Sequence, residues 1–542
     1  MLPSATQAVF ALLFAAFVWR LSKRLLTRPS SIANIKGPKT TSPLISGFAD
    51  FTNRNSWAFL DELNGYGGVV RLKDVLGTEM LYVSDPVALQ AIIAKNEAHF
   101  QETPEFIIGT YLMFGKGVLS RLGDDHKKQR KMLNPMFSAE SLRRYVPTLA
   151  NVAGTLRDAV ISQVDCGAED VDILQWGSRA ILEMTGQALL GRSLDPLVDE
   201  KRNAFVDSIK DMFPALQDIS VHFFLALTWI KMFGMPSFSR QLLEWYPSAK
   251  VARTKSIIDS LWSHSEDLIQ EKIEILAGRT QNDGLVRENA LTMFVRANME
   301  ASEENRLSYD ELVAQVTTLA FGAVDTTTGV LSRLLHMLAS RPDLQERLRS
   351  EILSSDATFG EDCSLELFAE LPLLDAVYRE TARMFPSAVT LNRQVSEETV
   401  LPLWHPVVDT RGQTMHQIAL EKGTTVIMGL YSYNRRKDIW GEDADQWKPE
   451  RWLSPLPEKV RTLQSGAVYS NLMTFIGGPR GCIGFKFAEI MIKLIICKLL
   501  PSVRLSLGEH EIVWNTSRTA YPTKDAVDLR PSLPLKMDLI KP

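Results

Sequence analysis

Apolar and polar positions repeat with a helical period over most of the 542-residue chain. Apolar residues recur at spacings of three and four over 139–165, 175–212, 249–277, 308–340, 342–355, 364–384 and 483–500, which predicts a helix in each. Short β-like runs are the minority: GGVVRL and MLYVSD between residues 67 and 85, and GTTVIMGLY from Gly423. The pattern predicts a mainly α fold with small β-sheets.

One helix is unusually long. Ser308 and Glu311 form a candidate capping box, and Pro342 follows the last turn, so about 31 residues spanning roughly 46 Å are expected between them. Its middle, Gly322 to Gly329, contains two glycines and three consecutive threonines, all poor helix formers. Such a conflict inside a strong element marks a functional or strained site, or a kink against a neighbour.

At the other extreme, Leu2 to Trp19 is apolar and uncharged, and Arg20, Lys23, Arg24 and Arg28 come after it. A cleavable signal peptide carries its positive charge first, so the order predicts an uncleaved anchor with the rest of the chain in the cytosol. The expected organisation is a transmembrane anchor over 1–28, a Pro/Gly connector over 29–48 and one catalytic domain over 49–542. In a cytosolic domain the NTS acceptor pattern at Asn515 would be silent.

Sixty basic and 64 acidic residues give a net charge of −4, and no basic block lies beyond the N-terminal region, which argues against a nucleic-acid partner. The cysteines, Cys166, Cys363, Cys482 and Cys497, are few and far apart, without a C-x-x-C pair, as expected of a reduced compartment.

Cys482 lies in FIGGPRGCIGFKFAEI, residues 475–490, just before a predicted helix. A helix N-terminus favours a thiolate, which is the form that binds metal. Gly478 and Gly484 permit a tight turn or close approach to a large flat group, and Arg480 suits a carboxylate. Lys486, Glu489 and Lys493 form one polar stripe on the helix that follows.

Phe475, Gly478, Arg480, Cys482 and Gly484 together resemble the haem-binding signature of the cytochrome P-450 superfamily, and the segment GDDHKKQRKMLNPMFS looks like its fungal microsomal members. Three further motifs occur in that family's order. GAVDTT, residues 322–327, resembles the oxygen-activation motif of the long helix; ETAR, residues 380–383, resembles E-x-x-R; and WKPERW, residues 447–452, resembles the P-E-R-F/W element.

The resemblance implies a haem b whose iron is bound by Cys482, with Asp325 and Thr326 as the acid–alcohol pair of oxygen chemistry. It implies a structural charge network of Glu380, Arg383 and Arg451. In GDDHKKQRKMLNPMFS, from Gly123, His126 stands where the family usually has tryptophan, while Arg130 is kept; with Arg393 they are the expected propionate partners.

The implied activity inserts one oxygen atom of O2 into a lipophilic small molecule. Electrons come from an NADPH-dependent cytochrome P-450 reductase or a cytochrome b-type donor, docking near Lys486 and Lys493. The setting is a single pass through the endoplasmic reticulum membrane, with fungal secondary, terpenoid-like metabolism as the role. Substrate contacts are expected from EFIIGTYLMFG after Pro104, the apolar stretch 212–236, Val389 to Leu391 and Tyr521. An isomerase or dehydratase working without O2, a detoxifying monooxygenase and a non-catalytic haem sensor remain open at this level.

Overall fold

The computed structural model describes, apart from single positions at 52, 470 and 518, residues 30–39, 50–73, 78–197, 246–279, 289–355, 363–463 and 465–540, with short pieces between 208 and 219. The expected anchor and most of the 212–236 stretch lie outside the described residues. No helix among the described residues is long and apolar enough to cross a membrane. Within the expected connector, Ile32 and Ile35 are buried in the main core and Lys36 O accepts from Arg71 N–H at 3.0 Å, so this stretch packs on the domain.

Local capping chemistry sets the helix starts. Ser308 Oγ accepts from Glu311 N–H while the Glu311 carboxylate accepts from Ser308 N–H at 2.9 Å, and the central helix runs unbroken from Tyr309 to Ala339. Ser138 Oγ accepts from Ser141 N–H at 3.2 Å and opens the helix Ala139–Asp165. Pro104, Pro342 and Pro372 occupy first helical positions, where a missing N–H costs nothing. The helix expected over 175–212 is shorter. Ile173–Thr185 continues through a π-turn, Gly186–Leu190, and ends at Gly191, whose φ of 71° belongs to the left-handed region.

The central helix crosses the interior, packing against Ile173–Thr185 and Ala249–Leu276. Leu331, Leu334, Leu335 and Leu338 on it are fully buried. The helix Phe485–Leu499 lies on Ala139–Asp165 and touches the central helix. A five-stranded sheet flanks this helical body in the order Val69–Lys73, Glu79–Val83, Thr425–Gly429, Thr390–Val395, Phe100–Gln101. Only the Glu79–Val83 and Thr425–Gly429 pair is parallel.

A three-stranded sheet (Val503–Leu507, Pro534–Leu539, Asp170–Asp172) and three two-stranded ones complete the β content among the described residues. Asn515 is buried in the Val513–Ser517 and Thr519–Thr523 hairpin; its amide donates to Val513 O and Thr523 Oγ1, and its oxygen accepts from Arg54 Nε at 2.7 Å. The folded chain therefore does not present that acceptor pattern.

Candidate active site

The strand Leu472–Gly477 leads through a 3-10 turn, Gly478–Arg480, into the cysteine loop. Ile476, a β-branched residue, has φ 44°, a strained conformation held by its surroundings. Gly478 has φ 64°, and a Cβ there would lie 1.9 Å from Ile93 O, so no other residue fits. A Cβ on Gly484 would meet only Phe137, at 3.6 Å, so protein packing makes no such demand there.

Phe475 O accepts from Cys482 N–H at 3.0 Å, and the Phe475 ring packs against Tyr469 and Phe485. Cys482 is solvent-accessible although protein surrounds it, so its sulfur faces an internal space. Burial raises the thiol's pKa, against the opposing hydrogen bond from Gly484 N–H and the Arg130 charge. The expected lowering by the helix end is present, and desolvation exceeds it.

Glu380, Arg383 and Arg451 meet in one buried charge cluster. Glu380 and Arg383 are fully buried, and the guanidinium donates through Nε and Nη2 to the carboxylate at 2.9 and 2.8 Å. Glu380 also accepts from Lys448 N–H at 3.0 Å and Trp452 Nε1–H at 2.9 Å, and pairs with Arg451 at 3.4 Å. Burial alone would raise the Glu380 pKa; the Arg383 hydrogen bond and charge, with Lys448 N–H and Arg451, outweigh it and hold the carboxyl below its ordinary value. Arg383 Nη1 donates to Asn434 O and Ala444 O, while Asn434 Oδ1 accepts from Met473 N–H and Asn434 Nδ2 donates to Thr474 Oγ1. The network thus reaches the strand that enters the cysteine loop.

Basic groups from three distant segments meet near that loop. Arg480 lies within electrostatic reach of His126, Arg130 and Arg393, and Arg130 within reach of Cys482. His126 is buried on the helix Gly123–Leu133; burial and the Arg480 and Arg130 charges lower its pKa to about 4, so it is neutral at physiological pH. Sequence reading missed Glu102, a buried carboxylate 3.3 Å from Arg393 Nη2 and 3.2 Å from Arg480 Nε. Arg480 Nη2 donates to Arg121 O at 2.5 Å, yet the Nε atoms of Arg480 and Arg121 are buried without an aligned acceptor.

On the central helix, Gly322 is exposed and Asp325 and Thr326 are partly accessible, between turns that are mostly buried. Thr326 Oγ1 donates to Gly322 O at 2.9 Å, and Thr326 O accepts from Ser387 Oγ at 2.6 Å. Burial raises the Asp325 pKa to about 6, with no ion pair to it among the described residues. Thr327 and Thr328 are buried.

Lys493 is a correction to the sequence reading. It is buried, donating to Asp375 at 2.7 Å and Glu489 at 2.6 Å, so its charge is neutralised internally and unavailable to a partner. Lys486 is exposed. Cys497 is buried in the apolar core, as core filler should be.

A surplus of buried cations, donors lacking acceptors and an accessible thiol inside the protein fit a haem with its two carboxylates. The comparisons agree. The cytochrome P-450 family profile matches residues 37–525. Cytochrome P-450 monooxygenase 91 of Postia placenta is 38% identical over 98% of both chains. A ganoderic acid synthetase of Ganoderma lucidum is 34% identical over 99% of both, and the monooxygenase eriI of Hericium erinaceus is 34% identical over 99% of this chain and 98% of its own. A match of that extent settles the family: this chain is a cytochrome P-450, a monooxygenase whose cofactor is haem bound through a cysteine thiolate.

Proposed function

We propose that this cytochrome P-450 oxidises a lipophilic, terpenoid-like small molecule in fungal secondary metabolism, with Cys482 as the haem ligand. The observation that carries this is the pairing of an accessible, enclosed Cys482 with an acid–alcohol pair on an otherwise buried helix. The relatives named for ganoderic acid synthesis and as eriI support the metabolic setting.

Bound through the Cys482 thiolate, the haem supplies the binding and reductive cleavage of O2. The chain's own residues do the rest. Arg480, Arg130, Arg393 and neutral His126 hold the haem carboxylates by charge and by N–H donation. Glu380, Arg383 and Arg451 fix the loop that presents Cys482. Asp325, with a pKa of about 6, can both take up and release a proton near neutrality. Thr326 keeps its hydroxyl oxygen available as an acceptor while its proton rests on Gly322 O. Protons drawn from solvent would therefore be relayed to the reaction through Asp325 and Thr326.

The apolar wall comes from segments that touch this helix. The Phe114 and Phe321 rings lie 4.8 Å apart, joining Pro104–Phe114 to the residue before Gly322. Ser387 and Ala520 O approach Thr326 and Gly329, bringing Val389 to Leu391 and Tyr521 to the same region. Electrons come from an NADPH-dependent reductase, with the chain anchored by residues 1–28 in the endoplasmic reticulum membrane. The acid–alcohol pair favours this over an isomerase working without O2.

Purified protein, reductase and NADPH incubated with lipophiles selected by their shift of the ferric spectrum test the proposal. Oxygenated product that requires NADPH is expected; product formed without NADPH overturns it.

A further inference from the structure

Glu102 belongs to no motif and stands at the centre of the cation cluster. The strand Phe100–Gln101 pairs antiparallel with Thr390–Val395, Phe100 opposite Val395 and Gln101 opposite Gln394. Carrying that register one residue further sets Glu102 opposite Arg393, and the two side chains pair at 3.3 Å. Arg480, two residues before Cys482, reaches the same carboxylate oxygen at 3.2 Å. All three side chains are less than a tenth exposed. Among the described residues Glu102 is the only carboxylate within ion-pair distance of either arginine, and Glu97 acts on both from farther away. The two guanidiniums repel one another, and Glu102 offsets this while leaving a net positive charge beside it.

We propose that Glu102 is a positioning residue for the haem edge: it sets Arg393 and Arg480 for the haem carboxylates, and its own charge lowers the haem reduction potential. The proposal rests on the haem site argued above. A fixed negative charge near a redox centre stabilises the oxidised, more positive state, and does so strongly where water is excluded. Without Glu102 the uncompensated charge of both arginines adds to the positive shift of the potential, while their side chains lose the partner that orients them. A merely structural glutamate would change stability and leave the potential of the retained haem where it was.

The experiment compares Glu102→Gln, Glu102→Asp and wild type, all haem-loaded, by spectroelectrochemical titration and by the rate of haem transfer to apomyoglobin. Glu102→Gln keeps shape and an acceptor and removes the charge. The expected result is a midpoint potential shifted positive in Glu102→Gln, little shift in Glu102→Asp, and haem transfer several-fold faster from Glu102→Gln.

The double variant Glu102→Gln/Arg393→Gln restores the charge balance and returns the potential towards wild type; its potential should also lie positive of Arg393→Gln alone, a comparison that serves if the single Glu102 variant does not fold. If the thiolate-type carbon monoxide band is retained and all potentials coincide, the Glu102 proposal is overturned while the haem site stands. A wild type lacking that band overturns both.

Discussion

Replacing Glu380 by glutamine keeps its size and removes one buried charge. Arg383, fully buried, loses its only carboxylate partner among the described residues and keeps just the carbonyls of Asn434, Ala444 and Gln446. Arg451, at 6% exposure, keeps Asp443 at 2.7 Å. Removing one member of a buried pair costs about 3–5 kcal/mol, because the other charge stays desolvated. That is a large share of a total stability of about 5–15 kcal/mol. With a urea dependence above about 3 kcal/mol/M for a chain this long, the unfolding midpoint should fall by about 1 M. Far-UV circular dichroism in urea reads this directly. Glu450→Gln is the control, since its pair with Arg347 is half exposed and contributes about 0–1 kcal/mol. Equal midpoints for Glu380→Gln and Glu450→Gln would refute the reasoning.

Asp325→Asn should lower NADPH-driven turnover about 100-fold while leaving the carbon monoxide spectrum intact, and the pH–rate limb near 6 should disappear. His336, half-buried beside Arg333, has its pKa lowered from 6.5 to about 4, so the folded state excludes its proton; stability is full above pH 6.5 and falls by up to about 3 kcal/mol as pH drops to 4. Thermal melts across that window should show the fall in wild type and a flatter curve in His336→Gln, whose side-chain oxygen can still accept from Trp514 Nε1–H. Lys486→Glu should raise the KM for reductase at low salt, with the effect shrinking at high salt. Lys493→Gln should lower stability and leave that KM unchanged, because its charge is used internally.

The parts of the fold legible in the sequence are those specified locally. Ser308 and Glu311 lie within one turn, and Ser138 caps the helix it opens, so the helices 309–339 and 139–165 follow from neighbouring residues. Cys482, Arg480 and Gly478 share one loop, and their spacing survives in a linear reading. The remainder depends on partners far apart in sequence. Glu102 meets Arg480 across 378 positions and carries no periodic or motif signal. Lys493 falls in a polar stripe that looks solvated until Asp375, 118 residues earlier, is placed against it. Trp452 was visible only as part of a motif; its indole donor on Glu380 is a product of folding. The thiol's raised pKa likewise follows from depth of burial, which spacing does not encode.

The central claim is that Cys482 holds the haem as a thiolate. The direct measurement is the absorption spectrum of the reduced, carbon monoxide-bound protein, wild type against Cys482→Ala. The account predicts the red-shifted Soret band of a thiolate-bound haem in wild type and its loss in the variant. A wild type without that band, or a Cys482→Ala protein that keeps it, contradicts the account.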